Sequence, residues 1–234
     1  MPESNEESFV HKPEKPKLLE ILNIPEVRVS SAFFIRIKDF EGRHALLVNK
    51  NRAKKGIIVL TPIGGAIEAT PAGIEGLKKL LDIDGSAFEK DKDLRFKMNG
   101  KRANEYRSWF LSGKQRESEP SREVIEELVN EAGLLDEEEL KGLQCNKAGY
   151  ATELAKTTRT GQEGQMTLRL LEVFDAKLQP ETLKKLIELS REPNSLIRFV
   201  TEEEIRHGKT DDGTDIGTVA QSLLDIQETI PEFE

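Results

Sequence analysis

The sequence predicts an α/β (α+β) domain, layered around a mixed β-sheet. Two observations carry that expectation. Apolar, β-rich runs recur along the chain, at "SSAFFIRIKD", "HALLVNK", "GIIVL", "MTLRLLEVFDAKL" and "LIRFV". Helical patterns are dispersed between these runs rather than gathered at one end, the order expected when helices pack onto a sheet. A length of 234 residues suits one domain of generous size, or a domain with a large insertion.

The elements follow in order. Residues 1–17, rich in Pro, Glu, Lys and Ser, predict a disordered or loosely docked arm, with the folded domain over 18–234. "VRVSSAFFIRIKDFEGRHALLVNKN" predicts a hairpin whose turn glycine lies in "DFEGR". A third strand is expected over 57–61, stopping at Pro62 and opening into Gly64 and Gly65. "TPAGIEGLKKLLDID" predicts a helix with Thr70 as N-cap, Pro71 at the first helical position, and Leu77, Leu80 and Leu81 as its apolar stripe. "DLRFKM" predicts a short strand, and "ANEYRSWFL" a helix carrying the only tryptophan, Trp109.

A helix is expected next from Pro120, with a further short one after it. Two long strands are expected around the loop "TGQEGQ", where Glu163 sits between glycines. "ETLKKLIELS" predicts a helix, "LIRFVTEEEI" a strand running into an acidic turn, and "DDGTDIGTVAQSLLDIQ" a last helix capped by Thr214 or Asp215.

Charge and cysteine content exclude several classes. A net charge of −8 opposes generic binding to nucleic acid or an anionic membrane, since both need a cationic face. It leaves a nucleotide substrate open, because a divalent cation can supply positive charge locally. With one cysteine, Cys145, no intrachain disulfide can form, and three histidines make a poor structural zinc set. No apolar run reaches membrane-spanning length and the N-terminus has no apolar core of a signal peptide, so a reduced, cytoplasmic compartment is expected.

The chemistry concentrates in "REVIEELVNEAGLL". On a helix, Glu126 and Glu127 fall three and four positions after Glu123, so all three share a face. Val124, Ile125, Leu128, Val129 and Ala132 lie opposite and suit packing on a sheet. Clustered carboxylates repel by a few tenths (about 0.3) of a kcal/mol per pair, and a hard cation with oxygen ligands relieves this. A solvated acidic face is the other account of the same pattern. The strand ending "LTPIGG" likewise admits two accounts: an ordinary turn, or a place where backbone approaches a phosphate closely.

Together the two motifs resemble the Nudix hydrolase superfamily, whose box reads G-x5-E-x7-R-E-U-x-E-E-x-G-U with U aliphatic. Arg122, Glu123, Val124, Glu126 and Glu127 match "REUxEE", Gly64 or Gly65 is similar to the leading glycine, and Glu68 lies in the loop after it. The chain departs from the box in three ways. Its two halves lie much farther apart. The glutamate inside the box falls on Thr70 or Lys114, with Glu117 and Glu119 as nearby substitutes. The late glycine falls on Val129; a shifted frame puts Gly133 there but loses the arginine and replaces one glutamate with Asn130. "TPIGG", an insert with "DLRF" and "WF", and "RESEPSREVIEELVNEAGLL" are most similar to the SMODS-associated Nudix domain, encoded beside cyclic-oligonucleotide-making nucleotidyltransferases in bacterial anti-phage operons.

The resemblance implies a Nudix-like α/β/α sandwich with a long insertion, about residues 71–118, between the Gly-Gly loop and the Nudix helix. It implies hydrolysis of the phosphoanhydride of a nucleoside diphosphate derivative, with Mg²⁺ or Mn²⁺ on Glu123, Glu126 and Glu127. Glu127 and Glu123 are the catalytic carboxylates on that basis, Arg122 orients them, and Glu163 is a candidate general base, as are Glu203 and Glu204. Gly64, Gly65, Arg36 and Glu68 are the candidate substrate contacts. Arg159 and Arg169 can reach phosphate from strands, and Phe33, Phe34 and Trp109 can stack a base, although an ordinary surface or core role suits each. Nudix proteins are often homodimers, so a dimer is an expectation with no interface assigned. A catalytically degenerate, nucleotide-binding sensor or partner module is the alternative, as is a structural domain with an acidic face.

Overall fold

The computed structural model describes residues 18–157 and 164–233. The arm over 1–17, Arg159 and Glu163 lie outside the described residues. The chain forms mixed β-sheets with helices, an α/β fold.

Strand β1 (Val27–Arg36) is buried along nearly its whole length. It takes β4 (Arg95–Met98) antiparallel on one edge and β6 (Met166–Lys177) parallel on the other. Strand β5 (Gln144–Lys156) completes this sheet, antiparallel to β6. A second sheet runs β7 (Ile197–Val200), β2 (His44–Val48), β3 (Val59–Pro62), β8 (Asp215–Ile216), and only its β3–β8 pair is parallel.

The expected β1–β2 hairpin survives only at its tip. Asp39 N–H donates to the Arg43 carbonyl, and the Ala45 amide to that of Ile37. Beyond the tip the strands diverge into separate sheets, because both edges of β1 are already paired. One of those edges is shared: past β4, the segment after β3 pairs with β1 through Ile35 and Ile63, and through Ala32 and Ala66.

Alternation along β1 sorts its side chains between the layers. Val27, Val29 and Phe33 join a core formed with α2 (Pro71–Leu81) and α3 (Ala103–Ser112). Ala32 and Phe34 join the core between the two sheets, with Leu46, Leu60 and Val200. Ile35 and Ile37 meet Val124 and Leu128 of the acidic helix and Leu186 of α5 (Pro180–Ser190). Phe33 and Phe34 are therefore core residues, and Trp109 stacks on buried Tyr106.

Thr70 caps α2 as expected, accepting from the Gly73 amide, but Leu80 is exposed and Ile74 takes its place in the buried stripe. The acidic turn after β7 is instead a short helix, α6 (Glu202–His207). Thr201 and Glu204 close a reciprocal capping box at its start. The expected last helix is the two-residue strand β8 followed by a 3₁₀ turn, Thr218–Leu223, beginning after Gly217. The short helix expected directly after the acidic one is a turn before β5 among the described residues. Asp136 and Glu139 exchange side-chain and backbone hydrogen bonds in a turn there.

Gly64 has φ +141°, and a Cβ on it would collide with the Phe33 carbonyl. The close approach of this loop to β1 thus demands glycine. Gly64→Ala is expected to lose roughly 2–4 kcal/mol of stability. Chemical denaturation measures this, and a loss under about 0.5 kcal/mol would mean that the loop shifts without cost.

Candidate functional site

The acidic helix starts as α4 (Ser121–Ile125), with Pro120 as its cap residue rather than its first helical one. From Glu126 to Glu131 it widens into a π-helix, a form often found at functional sites. Gly133, φ +63°, ends it, and its amide donates to the Val129 carbonyl. The front of the helix thus follows the frame that keeps Arg122, while its end uses the glycine of the shifted frame. Val129 packs against the core beside α5.

Arg122 is the hub. Its Nε and Nη2 donate to the two Glu117 carboxylate oxygens at 2.8 and 2.9 Å, and Nη2 also donates to the Ala66 carbonyl at 3.1 Å. Nη1 donates to Glu126 Oε2 at 2.9 Å, and Nη2 lies 2.7 Å from Glu123 Oε1. Glu117's hydrogen bonds, chiefly, hold the guanidinium pKa above its ordinary value. Burial pushes Glu117 up, but hydrogen bonds from Arg122 and the Glu68 amide outweigh it and leave its carboxyl below the ordinary range.

The other two carboxylates behave differently. Glu123 is 4% exposed, and a Cβ on Gly65 would collide with its carboxylate, so this acid lies directly against the Gly-Gly loop. Burial, against the pull of Arg122, pushes its pKa up to about 7. Burial, then Glu131 and Glu123, push Glu127 up to about 7 as well. Glu127 lines a cavity of about 90 Å³ with Glu131, Lys50, Asn49 and Thr61.

The segment before the helix is anchored from below. Arg116 and Glu172, each with a side chain only 1% exposed, form an ion pair at 2.7 Å. Arg116 also donates to the Phe110 carbonyl and to the Glu117 carbonyl. Lys147 reaches the same Glu172 oxygen at 2.7 Å. This network places Glu117 where Arg122 can grip it.

The structure brings together Gly65, Glu123, Arg122 and Glu126, with Glu127 electrostatically coupled to them. Glu68 enters through its backbone, which exchanges hydrogen bonds with Glu117. Gly64 serves the approach to β1. Arg36 does not join. It forms a bidentate pair with Asp175 and donates to the Leu223 carbonyl, so its donors are committed on the far edge of β1. Arg169 is likewise committed to Glu153, and Glu204 to its helix cap.

Sequence reasoning set Glu131 aside, did not place Lys50, Asn49 and Thr61, and missed the Arg116–Glu172 pair. The lone acid in the apolar run "LRLLEVF" was the visible signal for that pair.

The donors suit a hard divalent cation in kind, being carboxylate oxygens, with Glu123 and Glu126 already paired to Arg122. They do not suit it in number. Among the described residues no group of three His, Cys, Asp or Glu side chains is arranged to hold a metal ion. One or two carboxylates suffice where substrate phosphates and water complete the shell, so the fit holds for a cation that arrives with its substrate.

A sequence model of the SMODS-associated NUDIX domain matches residues 26–224. The chain belongs to this family. No curated protein and no solved structure matched. Membership in the SMODS-associated NUDIX family supports a Nudix-type hydrolase or a related module.

The raised carboxyls have a thermodynamic consequence. Between pH 4.5 and about 7 the folded chain holds protons on Glu123 and Glu127 that the unfolded chain has released. Stability contributed by these groups therefore falls as pH rises through that window. Glu127→Gln is expected to melt higher than the parent at pH 8 and equally at pH 4.5, without added metal. Equal melting at both pH values would show that Glu127 carries no such penalty.

Proposed function

We propose that this NUDIX domain hydrolyses the phosphoanhydride of a nucleoside diphosphate derivative with a Mg²⁺ or Mn²⁺ ion that arrives with the substrate and is held by one or two of Glu123, Glu126 and Glu127. The supporting observation is the buried Glu123 carboxylate, lying against Gly65 and gripped by Arg122, with Glu127 half-buried on the same helix at a pKa of about 7. Removing carboxylates from water costs stability, so a face that keeps Glu123 and Glu127 together suits a ligand that neutralises them.

When bound, the cation acidifies water and offsets charge on the phosphate oxygens. The chain's own residues do the rest. Arg122 fixes the Glu123 and Glu126 rotamers. The missing side chain of Gly65 leaves room for the Glu123 carboxylate, and the loop's backbone faces the substrate. Glu127, with a pKa near working pH, exchanges a proton with water. Glu163, which falls between β5 and β6 in sequence, is the proposed general base. A role in anti-phage defence, from the family resemblance, and a cytoplasmic location, from the single cysteine and the absence of an apolar leader pattern, belong to this proposal.

A second reading is a module that binds a nucleotide without turning it over. It is favoured by the Arg122 guanidinium already occupying Glu123 and Glu126, and by the absence of a three-donor group among the described residues.

A nucleotide panel decides between them: ADP-ribose, NAD, a dinucleoside polyphosphate and a nucleoside triphosphate, each with Mg²⁺ or Mn²⁺. Metal-dependent cleavage is expected, reduced about 100-fold or more by Glu127→Gln. Binding by calorimetry without cleavage establishes the second reading. Neither binding nor cleavage rejects both.

A further inference from the structure

The acids are spread unevenly. The chain has 43 Asp and Glu residues, yet none falls between Glu41 and Glu68. That acid-free stretch holds β2, β3 and the connection between them, "NKNRAKKGII", with Lys50, Arg52, Lys54 and Lys55. The connection is ordered. It forms the short helix α1 (Lys50–Ala53), whose cap Asn49 accepts from the Arg52 amide at 3.1 Å.

Arginines elsewhere are neutralised: Arg28, Arg36, Arg116, Arg122 and Arg169 each pair with a carboxylate, and within the stretch Arg43 pairs with Asp39. Lys50, Arg52 and Lys54 form no ion pair within 4.0 Å among the described residues. Lys50 also sits beside the site, with Arg52 and Lys54 two and four residues after it. Asn49, Lys50 and Asn51 line the cavity that holds Glu127 and Glu131, and the Lys50 charge opposes the upward shift of Glu127.

A solvated lysine-rich turn needs no acid-free flank and no ordered cap, and in an acidic chain it would draw carboxylates to itself. Cations left unpaired at the rim of an anionic catalytic face are placed to attract a polyanion, through charge-assisted hydrogen bonds and steering. We propose that the β2–β3 connection is a phosphate subsite. Lys50, Arg52 and Lys54 hold phosphate groups lying beyond the scissile linkage, so the ligand is a nucleotide with more phosphates than the diphosphate that is cut. This rests on the hydrolase reading for the word scissile; the subsite itself is defined by phosphate binding alone.

The test uses the intact chain, calorimetry at low ionic strength, and three probes: inorganic tripolyphosphate, a nucleoside triphosphate and ADP-ribose. The variant is Arg52→Glu/Lys54→Glu, both exposed, with an unchanged melting temperature as the fold check. Lys50→Gln is a second variant. Tripolyphosphate and triphosphate affinities are expected to fall about tenfold or more in the double variant, and ADP-ribose affinity less than about twofold. The difference should shrink at high salt. Equal tripolyphosphate affinity in parent and variants, or no binding by the parent, overturns the subsite. A nucleoside triphosphate that binds no tighter than tripolyphosphate overturns its assignment to a nucleotide. If the parent cleaves nothing yet loses phosphate affinity on Arg52→Glu/Lys54→Glu, the subsite stands and the hydrolase reading alone falls.

Discussion

The guanidinium of Arg122 holds together parts of the chain that are remote in sequence. Through Ala66 it reaches the loop after β3, through Glu117 the segment that ends the insertion, and through Glu123 and Glu126 its own helix. A lysine could not do this, because a single ammonium lacks the planar fork that engages a carboxylate with two parallel donors. The position of Glu117 depends in turn on Arg116, buried against Glu172 of β6. Removing one partner of such a buried pair is strongly destabilising, since it strands the other charge. The site is therefore referenced to the central sheet through a relay of ion pairs and hydrogen bonds.

Where burial outweighs the partners, it raises the carboxyl pKa. Glu117 and Glu123 both belong to the Arg122 cluster, yet their carboxyls shift in opposite directions. Glu117 receives two guanidinium hydrogen bonds and a backbone amide, and stays ionised. Glu123 gets a single close approach from Arg122 and the bare face of Gly65, so desolvation wins. The contrast follows from counting donors against burial. On the cavity side Glu127 and Glu131 face Lys50, so the helix presents acids toward a basic rim. Holding such groups unsatisfied opposes stability, a common feature of functional sites.

Local signals served the sequence reading well where local forces decide. Thr70 caps α2, the strands lie close to their apolar runs, and the acidic residues share one helix. Its failures have tertiary causes. The β1–β2 hairpin splits because β4, β6 and the segment after β3 occupy β1, which no hairpin signal reveals. The widening of the acidic helix into a π segment from Glu126 carries no signal in the linear box. The helix α6 was legible in hindsight: Thr201 followed three residues later by Glu204 is a capping box. Arg36 was chosen for its strand position, which carries no information about its partner Asp175.

The central claim is that the Glu123–Glu127 face beside Gly65 is where a divalent cation binds. Titrating Mn²⁺ into isotopically labelled protein and following paramagnetic broadening of backbone amide signals tests it most directly, since broadening falls off steeply with distance. The account predicts that Gly65, Glu123 and Glu127 vanish first, and that Glu123→Gln/Glu127→Gln abolishes the effect. Broadening that begins instead at the exposed acids of α6 or around Asp211 and Asp212, with Gly65 untouched, would contradict it.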